Sequence, residues 1–543
     1  MTPTAPPRTG SLEQRAAGWL ADRATYLDPA LAASDTALFS RKALVEVALL
    51  VGLRARLDGP LDATYTRLLD VLVDVAARPS YRELVRRDRR ALLLYAGTYA
   101  ALRLCGREDE DLRHALVATV DGRYATSFER VPYRHLDLLH TLELAGIDSP
   151  APDYAQVLPM TLLVADPNVW ELSVSDVYAI THAVFYVTDF GQREVAWPSG
   201  TTTDGVADLL LGCLAVARAR EDADLVGELL MCLTCVRAPV RDFESACRRW
   251  LRSWQEPDGR LEGPPGVIPR RLTEADADWG SWATAYHTTI VGALEDLLFR
   301  TVPRPGPAPL DDRSVVVPEA VLDGSARWLA AHGAGDLRSL SWAARGYAAA
   351  DDDEAAGALL SAAALHPGYA ELVRGASRDV AVATADLAHR LDVVDDVLVA
   401  VTTLAEESPD PEPPTGLRQR PAAATDRDRS RLLVADLVGR RGVPPLATEE
   451  AERAGCELVA GCRTAVEDYD LAWFAVAVRG LVRLPHLPPR LVRDAVTFLC
   501  TQQDRSGAFG APLVDDPGER LALHREWTVL ATAALVEASE PTT

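Results

Sequence analysis

Residues 495–510 read Ala-Val-Thr-Phe-Leu-Cys-Thr-Gln-Gln-Asp-Arg-Ser-Gly-Ala-Phe-Gly. A run of small, aromatic and aliphatic residues leads into Gln503-x-x-x-Gly507-x-Phe509. A weaker copy stands at Trp250-Leu-Arg-Ser-Trp-Gln255-Glu-Pro-Asp-Gly259-Arg-Leu261, where Leu261 takes the place of the aromatic residue. Each copy is followed by an apolar stretch of helical spacing: Tyr286-His-Thr-Thr-Ile-Val-Gly-Ala-Leu294 after the first, Glu526-Trp-Thr-Val-Leu-Ala-Thr-Ala-Ala-Leu535 after the second. The same two-element signature therefore closes two related units, expected at 11–302 and 319–543.

Outward from these stretches the chain is helical in pattern almost throughout. Apolar residues recur every three or four positions, with Gly or Pro at the segment ends. Tyr133–Gly146, Asp176–Asp189, Ser281–Leu294 and Asp468–Leu481 resemble one another, and repeats of roughly 40–50 residues suit one antiparallel helix pair each. No segment alternates as a strand would, so the fold class is all-α. Proline density marks a linker at 303–318 and an insertion near 406–426, because proline cannot continue a helix.

Composition narrows the function. The chain has 543 residues, 48 % of them hydrophobic, and carries 79 acidic against 56 basic side chains, a net charge of −23. That balance belongs to a globular protein with real cores and argues against a nucleic-acid partner, which demands a basic footprint. Lys42 is the only lysine, which disfavours Schiff-base and pyridoxal-phosphate chemistry. The Arg-for-Lys bias fits a bacterial genome of high GC content. No apolar run reaches the ~20 residues of a transmembrane helix, and residues 1–10 lack the pattern of a secretory signal, so a cytoplasmic location is expected. The eight cysteines read as buried thiols; Cys232 and Cys235 form a CxxC, but within an apolar helix face.

The Gln-x-x-x-Gly-x-aromatic stretches resemble the QW repeats of squalene and oxidosqualene cyclases, and Tyr286-His287-Thr288 resembles a segment of protein prenyltransferase β-subunits. The resemblance implies two α/α toroid-like units of antiparallel helix pairs. It also implies that the Gln side chain caps a neighbouring helix end while the Gly turns the chain after an outer helix. On this basis the chain is expected to be a terpene cyclase-like biosynthetic enzyme acting on an apolar or peptide-like small molecule in a central cavity. The alternative is a non-catalytic scaffold that binds a peptide or partner protein.

Two sets of residues are candidates for chemistry, and a third acidic set is set aside. Asp468-Tyr-Asp470-Leu471 resembles the DxDD acid motif of class II isoprenoid cyclases, with Leu471 in place of the third acid. There Asp470 would be the proton donor, Asp468 its neighbour, and Trp473 and Phe474 part of the cavity lining. The alternative role for both acids is at a helix N-terminus, where the macrodipole favours them. Second, His140, His182 and His287 fall at comparable places in three repeats. They are expected to meet in one cavity with Tyr178, Tyr286 and Asp189 nearby, either as ligands of zinc or iron or with His182 in acid–base work oriented by Asp189, Asp176 or Asp137. In prenyltransferases the histidine matched by His287 is a zinc ligand, but the accompanying D-x-C is missing here. Third, Leu391-Asp-Val-Val-Asp-Asp396 is read as a solvated helix face. No phosphate-binding glycine loop is present, so no nucleotide cofactor is expected.

Overall fold

The computed structural model describes residues 10–32, 36–122, 129–148, 152–266, 276–309, 315–333, 337–364 and 448–539, besides the isolated positions 268, 273, 433 and 434. Among them are twenty α-helices and no strand; a single antiparallel bridge links Gln503 and Phe509. The chain divides into unit 1 (Met1–Pro167 and Leu172–Pro309) and unit 2 (Asn168–Glu171 and Leu310–Thr543). The expected linker is thus shared between them. The segment Asn168–Glu171 packs in unit 2: Trp170 Nε1 donates to the Leu491 carbonyl (3.0 Å), and its ring meets Phe474 edge-on.

Unit 1 contains α1 (Leu12–Asp22), α2 (Ala37–Asp58), α3 (Ala63–Ala77), α4 (Pro79–Arg87), α5 (Leu92–Leu104), α6 (Glu110–Asp121), α7 (Pro132–Ala145), α8 (Tyr154–Val157), α9 (Val174–Thr188), α10 (Thr203–Ala219), α11 (Ala223–Cys235), α12 (Asp242–Trp254) and α13 (Ala277–Thr301). Six of these touch in cyclic order: α2 packs on α5, α5 on α7, α7 on α9, α9 on α11, α11 on α13, and α13 back on α2. The helices between them in sequence flank this cycle: α10 and α12 pack on α11, α6 on α5, and α1 on α13. Helix starts are written locally. Ser11 and Gln14 form a capping box on α1, as do Ser173 and Asp176 on α9; Asp62, Asp222 and Asp276 cap α3, α11 and α13.

Helix α11 explains the apolar reading of the CxxC. Every residue from Ala223 to Cys235 is buried, as expected of a helix covered on all sides. All eight cysteines are free thiols, and burial pushes Cys235 up to about 12 and Cys232 well above the ordinary thiol value. Such thiols stay protonated and inert at neutral pH.

Unit 2 contains α14 (Glu319–His332), α15 (Leu337–Ala349), α16 (Asp353–Ala364), α17 (Thr448–Glu467), α18 (Leu471–Val482), α19 (Pro489–Thr501) and α20 (Pro517–Ser539). Here α20 packs on α14, α15, α18 and α19, while α17 packs on α18. The insertion near 406–426 and the acids of Leu391–Asp396 lie outside the described residues.

The two Gln-x-x-x-Gly turns are built alike. Gln255 Nε2 donates to the carbonyls of Leu12 (3.1 Å) and Gly259 (2.8 Å); Gln503 Nε2 donates to those of Val321 (2.9 Å) and Gly507 (3.2 Å). In both, the glutamine ties its own turn to the first turn of another helix, α1 or α14. Gly259 and Gly507 have φ of +104° and +96°, and a Cβ on them would lie 2.4 Å from the Arg15 carbonyl oxygen and 2.1 Å from that of Gly324. Only glycine fits such a backbone approach. The next residue but one then hydrogen-bonds the closing helix: Leu261 N–H donates to Thr289 Oγ1 (2.9 Å), Phe509 N–H to Thr528 Oγ1 (3.0 Å). Phe509 and Leu261 are both fully buried, which is why an aliphatic residue serves as well as an aromatic one.

Candidate metal centre

Four helices of the unit 1 cycle bring acids and a histidine together. Asp224 and Glu228 lie one turn apart on α11, His287 lies on α13, Glu46 on α2, and the hydroxyls that hold the acids come from α9 and α13. The donor atoms of Asp224, Glu228 and His287 all lie within 4.8 Å of one another. Asp224 and Glu228 are almost wholly buried, at 1 % and 2 % exposure, whereas the side chains of His287 and Glu46 keep 31 % and 19 % of theirs.

Every member of the trio is held from behind. The Thr288 hydroxyl donates to Asp224 Oδ1 (2.8 Å) and the Tyr178 hydroxyl to Oδ2 (2.6 Å). The Thr181 hydroxyl donates to Glu228 Oε2 (2.6 Å). His287 Nδ1 hydrogen-bonds Glu46 Oε2 at 3.0 Å, with Lys42 Nζ 3.5 Å from the other Glu46 oxygen. That leaves His287 Nε2, which stands 3.5 Å from Asp224 Oδ2 and 3.8 Å from Glu228 Oε1. Both distances exceed a normal N–H···O bond. The Asp224 separation falls within the roughly 3.3–3.6 Å between tetrahedral ligands each ~2.0–2.2 Å from zinc, and the Glu228 separation lies just beyond it. One imidazole and two carboxylates, each fixed by an outer partner, form a donor set suited to Zn²⁺, Mn²⁺ or Fe²⁺.

Without an ion the same geometry holds a proton. Burial works against a charged His287, but the Asp224 and Glu46 carboxylates outweigh it and hold the imidazole well above its usual value. Burial likewise opposes ionisation of Asp224, and His287, Tyr178 and Thr288 more than reverse it, drawing the carboxyl down. In the metal-free cluster the surrounding carboxylates therefore favour the protonated imidazole over the neutral one.

The three histidines expected to converge do not share one set of donors. Only His287 belongs to the trio. His182 Nδ1 lies 3.7 Å from Glu228 Oε2, at the edge of the cluster. His140 Nε2 instead donates to Asp189 Oδ1 (2.9 Å), and Asp189 is gripped from its other side by Arg56 (3.0 and 2.6 Å). Asp189, expected beside His182, thus orients His140. Burial raises its pKa, yet His140 and Arg56 bring it down to about 2. Of the aromatic residues expected nearby, Tyr178 bonds Asp224 directly, while Tyr286 is buried and stacks on Trp282. Asp137 accepts from the Thr141 hydroxyl (3.3 Å) and Arg134 (3.2 Å), and Asp176 sits in the α9 capping box.

The acids of the cyclase-like segment take the helix-end role. Asp470 is the N-cap of α18, its Oδ1 accepting the Trp473 N–H (3.0 Å). Asp468 is exposed. Phe474 is fully buried against Trp170 and Phe498, and Trp473 is buried at the start of the same helix.

A family model described as a domain of unknown function, DUF6895, matches residues 13–297. The chain belongs to the DUF6895 family. The DUF6895 match spans Glu46, Asp224, Glu228, His287, His140 and His182 and reaches from α1 into α13, so the cluster and its cycle of helices are the family's own part of the chain. Unit 2 beyond residue 309 lies outside it. No curated protein matches the sequence.

Glu46, Asp224 and Glu228 carry a signal in the sequence. Each is an acid inside an otherwise apolar helical run, Ala43-Leu-Val-Glu-Val-Ala-Leu-Leu50 and Leu225-Val-Gly-Glu-Leu-Leu-Met231 preceded by Asp224. A buried carboxylate must be paired or bind a cation, which makes such acids conspicuous once the helix is known to be covered.

Proposed function

We propose that unit 1 is an α/α toroid whose interior carries a divalent-metal centre held by Asp224, Glu228 and His287, and that the protein is a metal-dependent enzyme acting on a small apolar or peptide-like molecule. The cyclic packing of α2, α5, α7, α9, α11 and α13 supports the toroid. One observation carries the metal: His287 Nε2 faces two buried carboxylate oxygens at separations too long for hydrogen bonds, that to Asp224 within the range for co-ligands of one ion and that to Glu228 just beyond it. A bound ion would supply Lewis-acid polarisation of a substrate oxygen or sulfur. The chain's own part is to fix the donors. Thr288 and Tyr178 orient Asp224, Thr181 orients Glu228, and Glu46 fixes the His287 tautomer so that Nε2 faces inward.

The partial exposure of His287, His182 and Glu46 beside two nearly inaccessible acids supports a site open on one side, as a catalytic centre requires. Elemental analysis of the purified protein tests the reading. A stoichiometric transition metal, lost in Asp224→Ala, supports it; a metal-free protein that takes up none of these ions refutes it.

A further inference from the structure

Unit 2 holds one stretch of chain as a protein holds a bound peptide. Asn168–Glu171 lies between α8 and α9 in sequence, belongs to no helix, and packs within unit 2 on residues 293 to 326 positions later. Helix α19 supplies most of the seat. The Asp494 carbonyl accepts from the Asn168 side-chain amide (2.8 Å), Asp494 Oδ2 from the Val169 N–H (2.8 Å), and the Leu491 carbonyl from the Trp170 indole (3.0 Å). Arg490, one turn earlier on α19, fixes the Asp494 carboxylate by donating to the same Oδ2 (2.8 Å). From α17, Arg463 donates to the Trp170 carbonyl, and from α18 the Phe474 ring meets the indole edge-on. Trp170 is fully buried and Val169 is 2 % exposed, whereas Glu171 is exposed. The segment also shapes itself: Asn168 Oδ1 accepts the Trp170 N–H (3.0 Å), closing a turn that presents the amide, the Val169 N–H and the indole together.

We propose that α17, α18 and α19 form a recognition site for an Asn-x-Trp turn, that Asn168–Glu171 is its resident ligand, and that the partner is a protein segment carrying the same turn. The contacts combine main-chain hydrogen bonds with one aromatic anchor in a desolvated pocket, the pattern by which short peptides are recognised. They are made by three consecutive residues, so the same turn supplied by another chain can make all of them. The chemistry sets the specificity. Asparagine serves twice, as donor to the Asp494 carbonyl and as acceptor closing the turn; aspartate lacks the donor. The middle residue contributes an N–H, which excludes proline. Tryptophan contributes an N–H besides its area, which phenylalanine cannot. The chain's own turn, being tethered, holds the site at high effective concentration, so the site stays self-occupied until a competing segment displaces it.

The probe is a fluorescein-labelled peptide with the sequence of residues 166–174, titrated with the full chain and followed by anisotropy. Trp170→Ala empties the anchor pocket, so this variant should bind the peptide at least ~10-fold more tightly than wild type, where the resident turn competes. Replacing the peptide's own tryptophan or asparagine by alanine should weaken binding at least ~10-fold. If Trp170→Ala unfolds unit 2, excess peptide should restore a cooperative thermal transition, because a ligand of the folded state stabilises it, and the alanine-substituted peptides should not. No binding and no restoration would make Asn168–Glu171 a covalent anchor only and overturn the proposal. So would equal affinity in wild type and variant, or binding indifferent to the peptide's tryptophan and asparagine.

Discussion

His287 Nδ1 is 3.0 Å from Glu46, yet its Nε2 stands 3.5 Å from Asp224: one nitrogen makes a hydrogen bond and the other only faces its acid. The asymmetry separates a supporting acid from a ligating one. Glu46→Gln should therefore weaken metal affinity by about 10–100-fold without abolishing it, as loss of an outer partner does. Equilibrium dialysis against a metal-buffered solution measures it, and a complete loss would instead make Glu46 a ligand.

The metal-free protein should lose stability on both flanks of the pH scale, for opposite reasons. His287 is raised above its unfolded value, so its contribution is full below ~6.5 and fades as pH rises through the higher folded value. Asp189 is depressed from 3.8 to about 2; its contribution, roughly 2 kcal/mol, is full above ~3.8 and is lost as pH falls through ~2. Urea unfolding across pH should show the alkaline loss removed by His287→Gln and the acid loss reduced by Asp189→Asn.

Unit 1 also contains a buried acid with no claim on chemistry. Glu13, 2 % exposed, accepts from Tyr65 (2.7 Å), pairs with Arg54 (3.3 Å) and with Arg300, and so joins α1, α2, α3 and α13. Removing one partner strands the others. Glu13→Ala should cost about 3–5 kcal/mol of stability by denaturant unfolding and leave the metal stoichiometry of the folded fraction unchanged.

The turn glycines should be intolerant of any side chain. Gly507→Ala forces a Cβ against the Gly324 carbonyl oxygen, 2.1 Å away, in a left-handed backbone, and should destabilise unit 2 by at least ~2 kcal/mol. Gln503→Ala removes only the two carbonyl bonds and should cost about 1–2 kcal/mol. Thermal unfolding ranks the two; the reverse order would mean the glutamine, not the glycine, holds the turn.

What the sequence made legible was local. Helix periodicity gave the all-α class, and it was the resemblance to QW repeats that implied a glycine turn and a glutamine tied to another helix, as Gln255 and Gln503 are to α1 and α14. His287 stood out through its neighbours Tyr286 and Thr288. Asp470 had its helix-end alternative on the same local grounds. The partners of His287 were not legible: Glu46 and Asp224 meet it from distant parts of the chain, and only tertiary packing aligns α2, α11 and α13. The pairing of Asp189 with His140 was hidden for the same reason, since seven residues along α9 carry Asp189 well past His182. Two acids one turn apart in the covered helix α11 were the clue that periodicity alone passes over.

The central claim is that Asp224, Glu228 and His287 hold a divalent ion, and calorimetric titration of Zn²⁺ into the metal-stripped full chain tests it most directly. The account predicts one tight equivalent for the wild type, with proton release as the ion displaces the imidazolium proton, and no tight binding by Asp224→Ala/His287→Ala. Wild-type protein that binds no equivalent, or a double variant that binds as tightly as wild type, would contradict it.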